Sequence, residues 1–367
     1  MSVPLLDLGR QYAYLKPALD KAVIDVLTHG SFILGPEVTR LENEIAKLST
    51  TPYAVAVASG TDALMLALHA AGVGPGDEVI TSDFSFFASA GVIHRLGARP
   101  ILVDIDLDTY NISADKIEAA ITPKTKAIVP VHLFGQSADM DAIMAIAKKH
   151  NLKVIEDAAQ SIGAEFKGRK LGSIGDYGCF SFYPSKNLGA GGDAGIITMQ
   201  GKEEYERCRM LRVHGARVTY HHEVVGYNSS LDTLQAAILL VKLPYLQGWS
   251  EKRQAHARRY DDAFKSNSRI RTPVVKDYAT FHIYNQYTIS VPNRDEVMAK
   301  LKAKQIGCYV YYPIPFHAQE CFSYLGYRPE QFPNSGKAAK EVLSIPIFPE
   351  LTTAEQDEVI ATVLAAA

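Results

Sequence analysis

The chain has 367 residues, 47% of them hydrophobic and 21% charged, with a formal net charge of −2. This is the balance of a folded globular protein long enough for two domains or one large α/β unit, and it excludes a disordered or fibrous chain. The near-neutral charge argues against nucleic acid as a partner, so an anionic ligand has to be met by a local pocket.

The four cysteines, Cys179, Cys208, Cys308 and Cys321, are scattered and form no Cys-x-x-Cys pair. That spacing argues against a zinc site or a disulfide framework, and no metal is expected. The N-terminal Met-Ser-Val-Pro-Leu-Leu-Asp-Leu lacks a basic segment followed by an apolar one, so no secretion signal is expected. No apolar run reaches the roughly 20 residues that span a bilayer. Ala54–Gly76 comes nearest but is interrupted by Ser59, Thr61, Asp62 and His69. The expectation is a cytoplasmic protein bound to neither membrane nor nucleic acid.

In chain order, Ala54–Val57 reads as a strand and Thr61–Ala71 as an apolar-rich helix. Glu78–Ser82 is the next strand and Phe86–Leu96 the next helix. Strands follow at Pro100–Asp104, Ala127–Val131 and Lys153–Asp157, with helical patterns at Ser113–Ile121 and Asp139–His150. Short apolar strands separated by such helices predict βαβ units and a mostly parallel, buried sheet. The apolar runs Gly178–Phe182 and Gly195–Met199 lie too close together for a crossover helix. Leu231–Phe264 is helical, with a break near Pro244. Phe281–Val291 alternates like a half-exposed strand. Asp295–Lys304 is helical, Gly307–Tyr312 extended, and Thr353–Ala366 a closing helix. A boundary near Trp249 divides the chain into a large domain, 1–249, and a smaller α+β domain, 250–367.

Ligands of open α/β sheets bind beyond the carboxyl ends of the strands, so polar residues there are the first candidates. Ala58-Ser-Gly-Thr-Asp62 opens a helix with small residues, leaving backbone N–H groups and the helix dipole available to a phosphate. The alternative is an ordinary turn with Ser59 or Thr61 as N-cap. Asp157 ends an apolar strand, where it either carries function or caps the next turn. Lys186 follows Phe180-Ser-Phe-Tyr-Pro-Ser185 and precedes glycines at 189, 191, 192 and 195. That tract matches neither a P-loop nor Gly-x-Gly-x-x-Gly, which argues against nucleotide hydrolysis and dinucleotide binding. A lysine in this setting is either catalytic or an exposed loop residue. His221-His222 reads as a solvated or substrate-side loop and not a metal site, because adjacent residues do not share a helix face and no carboxylate motif accompanies them. Phe84, Phe86 and Phe87 read as core. Tyr309, Tyr311 and Tyr312 read as a packed extended segment or a pocket wall.

Together these segments resemble the DegT/DnrJ/EryC1/StrS family of sugar aminotransferases, a branch of the fold-type-I pyridoxal-phosphate enzymes. The likeness spans nearly the whole chain. It rests on Phe32-Ile-Leu-Gly-Pro-Glu37, Ser59-Gly-Thr-Asp-Ala-Leu64, Gly74-Pro-Gly-Asp-Glu-Val79 and Pro130-Val-His-Leu-Phe-Gly135. It continues through Glu156-Asp-Ala-Ala-Gln160, Ser181-Phe-Tyr-Pro-Ser-Lys186, Gly192-Asp-Ala-Gly195 and Gly226-Tyr-Asn-Ser229.

The resemblance implies pyridoxal 5'-phosphate as cofactor. It matches Lys186 to the lysine that forms the Schiff base and Asp157 to the partner of the pyridinium nitrogen. Gln160 matches the residue near the ring's 3-oxygen, and Phe86 the aromatic that stacks on the ring. Gly60, Thr61 and Ser181 match phosphate contacts, with Asn228 arriving from a neighbouring subunit of a homodimer. The implied reaction moves an amino group from L-glutamate, leaving 2-oxoglutarate, to the keto carbon of a nucleotide-linked hexose. Tyr183, Ser230, Tyr311, Tyr312 and His317 are the substrate-side candidates. Tyr311–His317 resembles members acting at carbon 3 more than carbon 4, and Ser230, where relatives often carry a basic residue, points to a sugar without a carboxylate; the alternatives are that Ser230 faces solvent or that Arg217 or His317 supplies the charge. The pathways implied are amino-sugar biosynthesis for lipopolysaccharide, O-antigen or a secondary metabolite. A nucleotide-sugar dehydratase would have Lys186 replaced, and a non-catalytic regulator would have decayed site motifs; neither pattern is found.

Overall fold

The computed structural model describes residues 2–367; Met1, the first residue of the expected large domain, lies outside them. Two helices, α1 (Leu8–His29) and α2 (Pro36–Leu48), precede the first strand. Neither is among the helices expected from the sequence, although Val38, Leu41 and Ile45 give α2 a helical period. In α1 only Leu15, Leu19 and Val26 are buried, so its apolar stripe is thin.

The βα units then run as expected. They are β1 (Tyr53–Val57), α3 (Gly60–Ala70), β2 (Glu78–Ser82), α4 (Ala88–Arg95), β3 (Arg99–Val103), α5 (Ala114–Ile117), β4 (Thr125–Val129), α6 (Met140–His150) and β5 (Lys153–Asp157). A two-residue pair, β6 (Glu165–Phe166) and β7 (Arg169–Lys170), leads into β8 (Tyr177–Ser181) and β9 (Gly195–Met199). Among the described residues, seven strands form one sheet in the order β1-β9-β8-β5-β4-β2-β3. Pairing is parallel from β3 through β8, while β9 runs antiparallel between β8 and β1. The fold is thus α/β, a mostly parallel sheet flanked by helices. The β8–β9 connection over 182–194 contains no crossover helix, in keeping with the antiparallel pair.

Strand alternation divides the core. Val55, Val57, Cys179 and Ile197 face α3, whose own residues are buried nearly all round. Ala54, Ala56, Phe180 and Ile196 face α2 and α8 (Thr233–Lys242) on the other side. Because both faces are covered, the strands read as continuous apolar runs.

Between sheet and C-terminal region lie α7 (Lys202–Arg212), an exposed hairpin of β10 (Ala216–Val218) and β11 (His221–His222), and α8. Helix α9 (Leu246–Phe264) is continuous through Trp249, the residue at which the sequence suggested a boundary. The remaining elements are β12 (Tyr287–Ser290), α10 (Arg294–Ala303), α11 (Pro333–Glu341), β13 (Val342–Ile345) and α12 (Thr353–Leu364). They enclose their own core of Tyr260, Phe264, Tyr287, Ile289, Leu301, Leu343 and Val359, which Val3 from the N-terminal segment joins. The segment expected to be a half-exposed strand over 281–291 is a strand only at β12, and all four residues are buried. Pairing with β13 covers its edge, and the C-terminal helices and the Tyr260 cluster cover its faces.

Candidate active site

A cavity of about 680 Å3 lies beyond the carboxyl ends of the sheet strands, where such folds bind ligands. Four pieces of local structure furnish its walls.

The first is the start of α3. Ser59 is its N-cap, accepting the Asp62 N–H on Oγ at 3.1 Å, while Gly60 and Thr61 line the cavity. A Cβ on Gly60 would fall 2.5 Å from the Ser181 Cβ, and one on Gly195 would fall 2.3 Å from the Ser59 carbonyl. These close approaches bring a helix N-terminus and the Ser181 hydroxyl side by side. The N-cap and phosphate readings of this turn are compatible, because capping engages the Asp62 N–H and not those of Gly60 and Thr61.

The second piece is the end of β5. Asp157 Oδ2 accepts the Ser89 hydroxyl at 2.7 Å, and Oδ1 accepts the Ala159 N–H at 3.2 Å. Burial pushes this carboxyl's pKa up, opposed by those two hydrogen bonds and by the charge of Lys186. Its backbone is pinned on the sheet, with Asp157 N–H donating to Pro130 O and His132 N–H donating to Asp157 O. Three residues on, Gln160 Oε1 accepts the Phe134 N–H at 2.7 Å, and Nε2 donates to the Tyr312 hydroxyl at 3.1 Å.

The lysine turn is the third piece. Lys186 N–H closes the turn onto Tyr183 O at 2.8 Å, and the neighbouring Asn187 donates to Ile283 O. Burial lowers the Lys186 pKa to about 8, with Asp157 opposing the shift. A lysine so placed holds a substantial neutral fraction near pH 8, which an exposed ammonium does not.

The fourth is an aromatic wall of Tyr309, Tyr311 and Tyr312 continuing into Pro313, Ile314, Phe316 and Gln319, with Phe86, Phe87 and Tyr183 opposite. Phe86 and Tyr183 are 58% and 53% exposed at the rim, available for contact with a flat or apolar ligand face.

A family model of the DegT/DnrJ/EryC1/StrS aminotransferases matches residues 14–364. The chain belongs to this family. It is 51% identical over 362 residues to the pleiotropic regulatory protein of Geobacillus stearothermophilus, covering 98% of this chain and 97% of that one. It is 45% identical to the UDP-N-acetyl-3-dehydro-alpha-D-glucosamine 3-aminotransferase of Acidithiobacillus ferrooxidans, over 99% of this chain and 97% of the relative. Identity is 46% to the UDP-2-acetamido-2-deoxy-3-oxo-D-glucuronate aminotransferase of Pseudomonas aeruginosa, with coverage of 96% and 97%. Among solved structures, S. venezuelae DesV in complex with a ketimine intermediate superposes with a TM-score of 0.96 at 39% identity, covering 99% of this chain and 97% of that one. NtdA from Bacillus subtilis with bound cofactor PMP superposes with a TM-score of 0.92 at 35% identity, covering 100% of this chain and 85% of that one. As a DegT/DnrJ/EryC1/StrS member this chain is an aminotransferase, and pyridoxal phosphate is its cofactor.

The residues present fit that cofactor. A carboxylate bonded only to neutral donors suits a protonated ring nitrogen, a helix start beside a hydroxyl suits a phosphate, and a lysine of lowered pKa suits an aldehyde. Of the residues singled out in this family member's sequence, Gly60, Thr61, Phe86, Asp157, Gln160, Ser181, Tyr183, Lys186, Tyr311 and Tyr312 line one cavity. Asn228, Ser230 and His317 do not. Asn228 is exposed, and Ser230 bridges the end of β1 at Val57. His317 is turned away: its Nδ1 and its backbone N–H, each 2.7 Å away, meet the two carboxylate oxygens of buried Asp83, and its ring stacks on Phe332. The carboxylate draws the imidazole inward, so His317 shapes the wall from behind. Sequence reasoning missed Ser89, whose role depends on α4 packing against β5, and Asp193 and Gln286, which also line the cavity. Phe86 and Phe87 were read as core from their neighbourhood, yet only Phe84 is buried.

Proposed function

We propose that this aminotransferase places an amino group from L-glutamate on carbon 3 of a UDP- or dTDP-linked 3-keto hexose without a carboxylate. One observation carries the choice of a neutral sugar. The charged side chains lining the cavity are Asp157, Asp193 and Lys186. A uronate there would face two carboxylates and no guanidinium, and an unpaired buried carboxylate costs several kcal/mol. The Acidithiobacillus relative, named for a neutral N-acetylglucosamine derivative, supports this reading. The Pseudomonas relative, named for a glucuronate, supports carbon 3 but favours the charged sugar.

Pyridoxal phosphate, when bound, supplies an aldehyde for amines and a ring that draws electrons from the carbon beside the nitrogen. Gly60, Thr61 and Ser181 would hold its phosphate. Asp157, oriented by Ser89, would accept the ring N–H and keep that nitrogen charged. Lys186 Nζ, partly neutral near pH 8, would be the base that takes the proton from the donor's α-carbon and returns one to the sugar's carbon. Gln160 and Tyr312 would position the ring's edge, and Phe86 would cover its face. Delivery from the single side on which Lys186 stands sets the configuration of the new amine.

We propose further that a second copy of the chain completes the site. Leu8, Tyr12, Ile24 and Leu27 on α1 are exposed, as are Phe32 and Ile33 beyond it, and a groove of about 510 Å3 runs between α1 and Ile238 of α8. An apolar strip of this kind suits an interface. Asn228, exposed here, would serve the neighbour's phosphate, so mixing Lys186→Ala and Asn228→Ala chains should restore activity in hybrid dimers. We propose that the reaction runs in the cytoplasm and serves the biosynthesis of surface polysaccharides or of a secondary metabolite.

The test is a panel of 3-keto and 4-keto sugars on UDP and dTDP, neutral and uronate, scored by kcat/KM with L-glutamate. The neutral 3-keto compounds should lead; preference for a uronate or a 4-keto sugar refutes the substrate assignment.

A further inference from the structure

Arg253 of α9 is 3% exposed and pairs with no carboxylate among the described residues. Its Nη1 donates to three backbone carbonyls, Ile347 O at 2.8 Å, Tyr284 O at 3.1 Å and Asn285 O at 3.3 Å. The buried Nε has no partner. Neutral carbonyls solvate a guanidinium only in part, so a buried cation without an anion carries a desolvation cost that they offset incompletely. Burial indeed lowers its pKa to about 10, with Glu350 opposing at longer range.

The guanidinium lines a chamber of about 90 Å3, several times the roughly 10–15 Å3 one water needs. Ser185, Asn285, Gln286, Tyr311 and Ser344 supply the other polar walls. Ser185, Gln286 and Tyr311 also line the large cavity, and Ser185 precedes Lys186 in the chain. Two acceptors near the chamber, Gln286 Oε1 and Asn285 Oδ1, are likewise buried without donors. The unmet groups are therefore a cation with a free N–H and amide oxygens seeking an N–H. An amino acid carries the complement of both, a carboxylate and an amine.

We propose that Arg253 receives a carboxylate of the amino donor in this chamber, which adjoins the active-site cavity at Ser185. The proposal rests on the aminotransferase reading and adds where the donor is held. A keto sugar without a carboxylate makes no use of Arg253, so the two half-reactions depend on it differently. Bidentate pairing with the guanidinium selects a carboxylate over a neutral amide donor.

The test is calorimetric titration of glutarate, a dicarboxylate without an amine, into the holoenzyme, and into Arg253→Lys and Leu6→Phe holoenzymes. Leu6 also lines the chamber, so a larger phenyl ring there takes up its volume while Arg253 and its carbonyl acceptors remain in the chain. Thermal melting and cofactor content report folding, and Leu6→Phe decides if Arg253→Lys does not fold. Glutarate affinity should fall about tenfold to hundredfold in both variants, as loss of a charged hydrogen-bonded pair implies. The KM for L-glutamate should rise in step, while single-turnover amination of the keto sugar by the preloaded amino form stays within about twofold. Unchanged glutarate affinity in a folded variant, or no binding by the parent, overturns the proposal. A parent that binds glutarate through Arg253 yet takes no amine from L-glutamate keeps the chamber and refutes the donor's identity instead.

Discussion

Glu156 and Asp157 are neighbours on β5 with opposite surroundings. The Glu156 carboxylate is fully buried and accepts the N–H groups of Gly172, Ile174 and Gly175 at 2.7–2.8 Å and His132 Nε2 at 3.0 Å. His132 Nδ1 in turn accepts the Ala138 N–H at 3.1 Å, which fixes the tautomer that donates to Glu156. Although burial would raise this carboxyl's pKa, the four donors hold it below its ordinary value. Strand alternation then aims Asp157, on the opposite face, into the cavity.

Glu156→Ala should therefore cost several kcal/mol of stability, on the order of 3–5, because it strands three N–H groups and an imidazole N–H. Glu156→Gln should cost less, since one oxygen still accepts. Urea denaturation of the apo form measures both. The cofactor dissociation constant should rise with the stability loss, because the strand that carries Asp157 loosens. A Glu156→Ala protein as stable as the parent would show that the loop over 172–175 anchors itself.

Gly60→Ala is a steric test of the proposed phosphate cradle. The added methyl would sit 2.5 Å from the Ser181 Cβ, so the helix start or β8 must shift. Cofactor affinity should drop tenfold or more, about 1.4 kcal/mol or above. Gly74→Ala, where nothing lies within 4 Å, is the control and should leave affinity unchanged. Fluorescence titration of the apo proteins with pyridoxal phosphate reads both.

Removing the His317 ring strips Asp83 of its imidazole donor and Phe332 of its stacking partner, leaving a buried carboxyl with the backbone N–H of residue 317 and the Ser335 side chain. His317→Ala should lose about 1–3 kcal/mol, the usual cost of leaving a buried acceptor without its donor. The wall from Pro313 to Gln319 would slacken, raising KM for the sugar nucleotide more than it lowers kcat. Steady-state kinetics at saturating L-glutamate separates the two.

Much of this was legible in the sequence because the chemistry sits where periodicity is plain. Lys153–Asp157 is an apolar strand ending in acid, and Ser59-Gly-Thr is a small-residue turn opening a helix. What the sequence hid depends on partners far along the chain. Ser89 reaches Asp157 across 68 positions, and the Asp83–His317 pair spans 234. A histidine beside an aromatic wall reads as a ligand contact until its buried carboxylate is seen. Helix α1 buries few residues, so its stripe is thin, whereas α2 carries Val38, Leu41 and Ile45 at helical spacing and was legible though not picked out.

The lowered pKa of Lys186 gives a pH dependence with a definite sign. Below about 8 the folded protein must bind a proton on a poorly solvated amine, and only the neutral amine attacks an aldehyde. Recapture of pyridoxal phosphate by the apo form should accelerate as pH rises, with a midpoint near 8 and a plateau above it. A rate that keeps climbing toward pH 10 would indicate a lysine of ordinary pKa. Stopped-flow absorbance over that range measures it.

The central claim is that Lys186 both holds the cofactor and moves the proton in amino transfer. Its most direct test mixes holoenzyme with L-glutamate and follows the cofactor's visible band in a single turnover, for the parent and for Lys186→Ala. The parent should convert the band and release 2-oxoglutarate, and borohydride should fix cofactor to the parent chain at position 186. The variant should bind cofactor, show no fixation by borohydride, and convert the band at least about a thousandfold more slowly, as loss of an attacking and proton-carrying group implies. Conversion by Lys186→Ala at a rate within about tenfold of the parent, 1.4 kcal/mol in barrier, would contradict the account.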